Sequence, residues 1–412
     1  MSTVGVIVEY NPLHNGHLYH LQQSRKITGA SNVVAVMSGH FLQRGEPALV
    51  DKWTRAEMAL HGGCDLVLEL PVAYSAQPAQ WFAYGAVSIL NATGVVDSLC
   101  FGSESGDIEA LDQMASLLVD EPPAFHDLLT KELQQGLPYP SAFSVAGKAY
   151  LQSIGLAHLA FSLDQPNHTL GLHYLISLRK IKSRIVPTSL RREKSEYNQA
   201  DITDSQIASA TALRKALLGE SGSLALLAPY VPESTLYLLQ RDFAAGKAPI
   251  QWESFARPLF HELFRSDRAT LGAIAEVNEG LEHRIGNVLP ELSELTVECL
   301  LEALKTKRYT YTKLQRMLLR ILLGHEQKLL TADRLTTGID YIRVLGFNER
   351  GQRLLHEMRS KATVPVLTSA ARGSSPYLQL DVQATAMYAL GFKHTKPSDA
   401  FRDYTEPPIR IR

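Results

Sequence analysis

The segment Asn11-Pro12-Leu13-His14-Asn15-Gly16-His17 follows the apolar, β-branched run Thr3–Val8 and leads into a helix-forming stretch. A loop that leaves the C-terminal end of a buried parallel strand and opens a helix places backbone N–H groups and the positive end of the helix dipole beside any ligand there, which makes an anion site. Gly16 lets backbone and phosphate approach closely, and Pro12 stiffens the turn. His14 and His17, three residues apart, project into the same cleft and can donate hydrogen bonds to phosphate oxygens. They supply no nucleophile. Adenylyl transfer needs none, because a bound acceptor attacks the α-phosphorus while donors stabilise charge on the transferring group and on the leaving pyrophosphate. A bare His-x-x-His would be an unremarkable pair of surface or core histidines; strand, turn, glycine and helix in this order make it a phosphate site. The Gly-x-Gly-x-x-Gly pattern of a dinucleotide loop is absent.

Such a loop needs a parallel sheet to hold it. Continuous apolar runs at Thr3–Val8, Val33–Met37, Asp65–Leu70, Val95–Phe101 and Arg184–Thr188 read as strands buried on both faces. Helical stretches are expected between them at His17–Thr28, Lys52–His61, Pro78–Asn91, Asp107–Leu118 and through Ser141–Lys182. The alternation predicts an α/β doubly wound domain. From Ala208 onward the pattern turns mostly helical, with helices expected at Glu233–Gly246, Trp252–Arg265, Arg268–Leu281, Leu292–Lys305 and Tyr311–Leu323, and a late strand and helix at Val364–Thr368 and Asp381–Leu390. The Gly219–Gly222 stretch marks the expected boundary between a catalytic domain, 1–218, and a mainly helical domain, 219–412.

At 412 residues the chain exceeds a single ordinary core, which supports two domains. No apolar run reaches the ~20 residues of a membrane helix, and Met1-Ser2-Thr3 leads into a strand without a basic, signal-like region. Cys64, Cys100 and Cys299 form no Cys-x-x-Cys pair, so each is expected to be a small buried apolar residue and the compartment to be the cytoplasm. Net charge is −1, so any binding to nucleic acid must come from a local patch.

The first loop resembles the His-x-Gly-His motif of the nucleotidylyltransferase superfamily, and Ile207-Ala208-Ser209-Ala210-Thr211-Ala212-Leu213-Arg214 resembles its second motif. The resemblance implies that a hydroxyl and an arginine contact the triphosphate at another helix start. Ser209 or Thr211 can cap that helix and bond a phosphate, and Arg214 offers a planar fork of donors. Alone, the segment would be an ordinary capped helix with a surface arginine.

The likeness extends to Val4–His17, Ser38-Gly39-His40-Phe41-Leu42-Gln43-Arg44-Gly45-Glu46-Pro47-Ala48, Phe101-Gly102-Ser103-Glu104, Pro166-Asn167-His168-Thr169-Leu170-Gly171, Ser209–Arg214 and Lys305-Thr306-Lys307-Arg308-Tyr309-Thr310. Together these are similar to the tRNA(Met) cytidine acetate ligase family over nearly the whole chain. Mg2+ is expected on the triphosphate, as in nucleotidyl transfer generally. The resemblance implies a Rossmann-like nucleotidylyltransferase sheet and an enzyme that makes acetyl-adenylate from ATP and acetate. It then acetylates N4 of the wobble cytidine of elongator tRNA(Met). The implied catalytic residues are His14 and His17. The implied ATP contacts are Ile7, Val8, Glu9, Tyr10, Asn11, Pro12, Leu13, His14, Asn15, Gly16, His17, Leu18, Tyr19, His20, Gly102, Asn167 and Arg192, joined by Ser209, Thr211 and Arg214. Arg191 stands beside Arg192 in a loop without the glycines usual before Tyr197, so either arginine fits that contact. Asn167 either caps the helix it opens or reads an adenine edge. Arg44 is a candidate donor to acetate.

Lys305, Lys307, Arg308, Lys313, Arg316 and Arg320 lie in a stretch with no acidic residue from Ala303 to Arg320, with Tyr309 and Tyr311 among them. Such a run suits phosphate neutralisation and base stacking, so Lys305, Lys307, Arg308, Lys313 and Arg316 are the expected tRNA contacts. The smaller run Arg179-Lys180-Ile181-Lys182-Ser183-Arg184 adjoins the catalytic half. Two alternative readings share the catalytic loop: a small-molecule adenylyltransferase, and a non-catalytic RNA-binding protein on the same fold. The long helical half with its basic stretch disfavours the first, and the intact His14, Gly16, His17, Thr211 and Arg214 disfavour the second.

Overall fold

The computed structural model describes residues 2–159, 165–191, 208–219 and 222–412. Its strands are β1 (Thr3–Val8), β2 (Asn32–Ser38), β3 (Leu66–Leu70), β4 (Ser98–Ser103), β5 (Val186–Arg191), β6 (Ile342–Phe347), β7 (Val366–Leu367) and β8 (Ile409–Arg410). They form an eight-stranded sheet ordered β5-β4-β1-β2-β3-β6-β7, with β8 also paired to β6. Neighbours among β1–β5 run parallel, as the apolar runs predict. The chain lays β2 and β3 on one side of β1 and then crosses to lay β4 and β5 on the other. The switch point, where ligands bind in such sheets, therefore falls between β1 and β4.

Every residue of β2 is buried. Val34 and Val36 join Leu90, Leu111 and Leu175 of the helices Ala79–Ala92, Ile108–Leu118 and Pro166–Lys180 in one core. Val33, Ala35 and Met37 join Leu21 and Met58 of the helices Asn15–Thr28 and Lys52–His61 in the other. Alternate side chains of a strand point to opposite faces, so an unbroken apolar run packs both layers at once. At Gly5 a Cβ would lie 2.8 Å from the Leu90 methyls, so this position sets how closely helix and sheet approach.

The structure differs from the sequence expectations in several places. β4 and β5 begin two or three residues later than their apolar runs. The sheet also draws β6, β7 and β8 from beyond residue 219, and β6 is antiparallel to β3. Strand β6 escapes a hydrophobicity reading because Arg343 interrupts it, yet Arg343 is buried, its Nη2 3.5 Å from Asp403 Oδ1. The helix expected at Arg268–Leu281 ends at Gly272, because Ile274 then bridges Glu326 and the chain turns through left-handed Glu276, Glu279 and Gly280. The helix expected from Leu292 starts at Val297, where Thr296 caps it. Cys64 and Cys100 are buried as expected, whereas Cys299 is only partly so.

The C-terminal segment is sealed to the first half by charge. The ammonium of Lys52, wholly buried, lies 2.8 Å from both Glu69 Oε1 and Asp403 Oδ1. Arg402 reaches Asp51, the cap of the helix that carries Lys52, at 2.5 Å. Removing one member of such a set strands a buried charge, a far larger penalty than loss of a surface pair.

His173, on the helix Pro166–Lys180, is buried, its ring 5.4 Å from that of Phe143. Burial, aided by Lys180, lowers its pKa to about 4. Below its ordinary pKa near 6.5 the unfolded chain takes up a proton that the folded chain refuses, so the stabilisation is complete above pH 6.5 and is lost as pH falls toward 4. The expected slope from this residue is about 1.4 kcal/mol per pH unit in that window. Urea titrations between pH 4 and 7 should show the His173→Gln chain losing that share of the slope; an unchanged slope would contradict the assignment.

Candidate active site

At the end of β1 the chain turns sharply through Tyr10, whose φ of 49° is left-handed, and through a cis Asn11–Pro12 bond. Leu13 is buried as an anchor, and His14 is the N-cap of the helix Asn15–Thr28. The His14 Nδ1 accepts from Gly16 N–H at 3.1 Å, and the His17 Nδ1 accepts from His14 N–H at 3.3 Å. The two rings stack at 3.7 Å, with Tyr10 edge-on to His17 at 5.0 Å. A neutral imidazole that accepts at Nδ1 carries its proton on Nε2, so both histidines hold Nε2–H donors in a fixed, paired arrangement.

One part of the sequence expectation changes here. The first-turn amides already have partners: Asn15 N–H donates to Tyr230 O at 2.8 Å, Gly16 N–H to His14, and His17 N–H to His14 O at 2.9 Å. The backbone amides of this turn are therefore occupied, and the donors it can offer an anion are side chains. Ile7 and Val8 close the strand, while Leu18, Tyr19 and His20 continue the helix, Tyr19 being exposed. Asn11 is buried; its Oδ1 accepts from Leu49 N–H at 2.7 Å, and its Nδ2 has no partner among the described residues.

The second motif meets the first. Ser209 caps the helix Ala210–Leu218 by accepting from Ala212 N–H, and Thr211 is part-exposed at that helix start. From the same helix Arg214 donates to the Asn11 carbonyl at 2.9 Å and pairs with Glu46 at 3.4 Å. Glu46 belongs to the loop after β2, so three segments remote in sequence converge on one point.

That loop is held at both ends. Glu9 Oε1 accepts from Gln43 N–H at 2.7 Å and from Ser38 Oγ–H at 3.3 Å. Burial raises the Glu9 carboxyl above its usual range, against the lowering effects of Gln43 N–H and Arg55. Gly45 has φ +82°, and a Cβ there would lie 2.5 Å from Arg316 N, so the loop rests directly on the helix Tyr311–Leu323. Arg44, partly buried, lies between these two fixed points.

On the other side of the switch point, Val4 is level with Ser98 and Gly5 with Leu99; continuing the register sets Gly102 level with Val8. Glu104, just beyond, accepts from the Asn167 main-chain N–H at 3.1 Å, from Asn167 Nδ2 at 2.7 Å and from His168 N–H at 2.8 Å. Glu104 thus caps the helix Pro166–Lys180 from outside. Asn167 sits inside the first turn and is not the cap, which is Gln165. Arg192 lies outside the described residues, and Arg191 ends β5.

The basic stretch begins on the loop after the helix Val297–Leu304 and runs into Tyr311–Leu323. Lys307 and Arg308 are exposed, as is Lys305, whose Nζ donates to Tyr309 O at 3.1 Å. The charges are not unbalanced in space: Glu279 pairs with Arg308 at 3.1 Å and Lys313 at 3.3 Å, and Glu276 with Arg316 at 3.0 Å. Arg320 is fully buried, donates to Val72 O and Ala76 O, and is drawn down to about 10 by burial, so it belongs to the core. In the smaller run, Arg179 pairs with Asp112 at 2.6 Å.

Two residues of the site escaped the sequence reading. Arg55, fully buried, donates from Nε to Val50 O at 3.2 Å, from Nη1 to Glu9 O at 2.8 Å and Ser38 O at 3.0 Å, and from Nη2 to Gly39 O. It fastens together the ends of β1 and β2. The available signal was a pair of basic residues, Lys52 and Arg55, one turn apart on a helix that adjoins a buried strand. Glu104 was visible within its motif, but its capping of a helix over 60 residues away had no local trace.

Comparison with known proteins places this geometry. The family model described as HIGH Nucleotidyl Transferase matches residues 1–403. The chain is 40% identical to the tRNA(Met) cytidine acetate ligase of Acetivibrio thermocellus, over 98% of this chain and 99% of that protein. It is 40% identical to the ligase of that name from Caldanaerobacter subterraneus subsp. tengcongensis, over the whole of both chains. Among solved structures it resembles apo Thermotoga maritima TmcAL at 34% identity, with a TM-score of 0.93 over 100% of each chain. The form of that protein bound with alpha-thio ATP gives a TM-score of 0.90 at the same identity and coverage.

Proposed function

Since the chain belongs to the tRNA(Met) cytidine acetate ligases, within the HIGH nucleotidyl transferases, and is an ATP-dependent tRNA ligase, we propose that it activates acetate as acetyl-adenylate and acetylates N4 of the wobble cytidine of elongator tRNA(Met). The single observation that carries this reading is the reach of Arg214 to the Asn11 carbonyl, which joins the two motifs just past the end of β1. An acetate oxygen attacks the α-phosphorus, forming a P–O bond as the bond to the β-phosphate's bridging oxygen breaks and pyrophosphate leaves. The Nε2–H groups of His14 and His17 and the guanidinium of Arg214 stabilise the negative charge that builds on those oxygens. The cytidine amine then attacks the acetyl carbon, the amine proton leaves, and AMP departs with the oxygen it gained.

ATP spans the end of β1, with Gly102, Asn167 and Ser209–Arg214 around it. Residues 1–218 carry this chemistry and 219–412 the contact with tRNA, through Lys305, Lys307, Arg308, Lys313 and Arg316. Arg44, on the loop between Glu9 and the Tyr311–Leu323 helix, is the candidate donor to acetate. Among the described residues no group of three or more His, Cys, Asp or Glu side chains forms that could hold a metal. Mg2+ would be carried chiefly by phosphate oxygens and water, as is usual for this ion. Among the described residues no helix is long and apolar enough to cross a membrane. The cytoplasm is the proposed compartment.

Pyrophosphate release from ATP, measured with acetate and tRNA each present or omitted, tests the reading. Release should require acetate. A small-molecule adenylyltransferase would ignore acetate and answer to another acceptor, and a binding module would release nothing.

A further inference from the structure

The segment Glu276–Gly280 lies against the basic stretch in a conformation that its residue types do not favour. Glu276 and Glu279 have φ of 64° and 58°, and Gly280 has φ of 84°. Two glutamates in the left-handed region within one turn are held there by tertiary contacts. Tyr309 O–H donates to the Glu279 carbonyl at 2.7 Å. Glu276 is sealed against Arg316, their side chains only 18% and 11% exposed. Glu279 is different. Its side chain is 39% exposed, and one oxygen, Oε2, receives both Arg308 Nε at 3.1 Å and Lys313 Nζ at 3.3 Å.

A single anionic oxygen at the focus of a guanidinium and an ammonium is the arrangement a backbone phosphate would take. The Arg308 side chain is 60% exposed, so a polyanion can approach it from solvent. We propose that the Glu279 carboxylate occupies a phosphate position of the RNA-binding surface, holding Arg308 and Lys313 converged in the unbound protein and giving way to an RNA phosphate on binding. The proposal rests on the reading of this stretch as an RNA surface. Its consequence is selective: a stray polyanion must compete with a tethered carboxylate, whereas an RNA that makes further contacts along Lys305 and Lys307 displaces it.

The test is fluorescence anisotropy with a labelled RNA hairpin, titrated with the full-length chain from 50 to 250 mM KCl. Glu279→Gln keeps the turn and the Tyr309 bond to its backbone, and Glu279→Ala removes the same carboxylate by a second route. Both are expected to bind the hairpin about 3- to 10-fold more tightly at 100 mM KCl, with a plot of log affinity against log salt steeper by about one. Unchanged or weaker binding in both variants overturns the proposal. Arg308→Gln separates that outcome from failure of the surface itself. If Arg308→Gln weakens binding at least 5-fold while neither Glu279 variant strengthens it, the surface stands and the carboxylate's role falls. If none of the three changes binding, both fall.

Discussion

The His17→Ala chain is expected to lose acetate-dependent adenylation by about 100- to 1000-fold in kcat, roughly 3–4 kcal/mol, the usual effect of removing one preorganised donor to developing charge. The expectation follows from the tautomer. Because His17 Nδ1 accepts from the His14 N–H, the ring's proton sits on Nε2. Alanine removes that donor and also frees His14, whose ring stacks on His17 at 3.7 Å. The folding cost should be small, about 1 kcal/mol for a lost cap contact, so the melting curve should barely move while turnover collapses. Initial rates at saturating ATP and acetate, with KM measured separately, check this. If the loss appears wholly in KM for ATP, the ring contributes uniform binding rather than stabilisation of the transition state.

Arg55→Met is expected to produce a large change in stability, a fall in unfolding free energy of about 3–5 kcal/mol, because several acceptors lose their donor at once. The guanidinium donates to the carbonyls of Glu9, Ser38, Gly39 and Val50, the last three in buried bonds and the first in a part-buried one, and methionine satisfies none of them. Folded proteins hold only about 5–15 kcal/mol in reserve, so a drop of this size should be visible as a large shift of the urea midpoint at constant m-value. Activity should fall further than stability alone requires, because the carbonyls released belong to the ends of β1 and β2, which carry the His14 loop and the Gln43-Arg44-Gly45 loop. A shift below about 1 kcal/mol would mean that water replaces the guanidinium.

The legible parts of this fold are those whose cause is local. The run TVGVIV, the histidine-capped helix after it, and the helices Lys52–His61 and Tyr311–Leu323 each carry their own periodicity and cap, Asp51 and Thr310 for the latter two. The illegible parts depend on partners far away in sequence. Arg343 makes β6 look like surface until Asp403, 60 residues on, is known to meet it. An acid-free basic run looks unbalanced until the left-handed turn at Glu279 brings a carboxylate to Arg308 and Lys313. The same holds within the site: the loop at His14 promised free amides, and the tertiary contact from Tyr230 removed one of them, leaving side chains as the donors. Motif spacing proposed where the phosphate chemistry lies; burial and long-range pairing decide which atoms there could perform it.

We propose that one chain passes an acetyl group from an adenylate to a cytidine. The most direct measurement incubates the protein with ATP, carbon-labelled acetate and an unmodified elongator tRNA(Met) transcript, then digests the RNA and separates its nucleosides. Label is predicted in N4-acetylcytidine from the wobble position, in an amount matched by AMP formed, and absent when ATP is withheld or the wobble cytidine is replaced by uridine. Adenylate and pyrophosphate without labelled cytidine, or labelled RNA that persists after the cytidine is replaced, would contradict it.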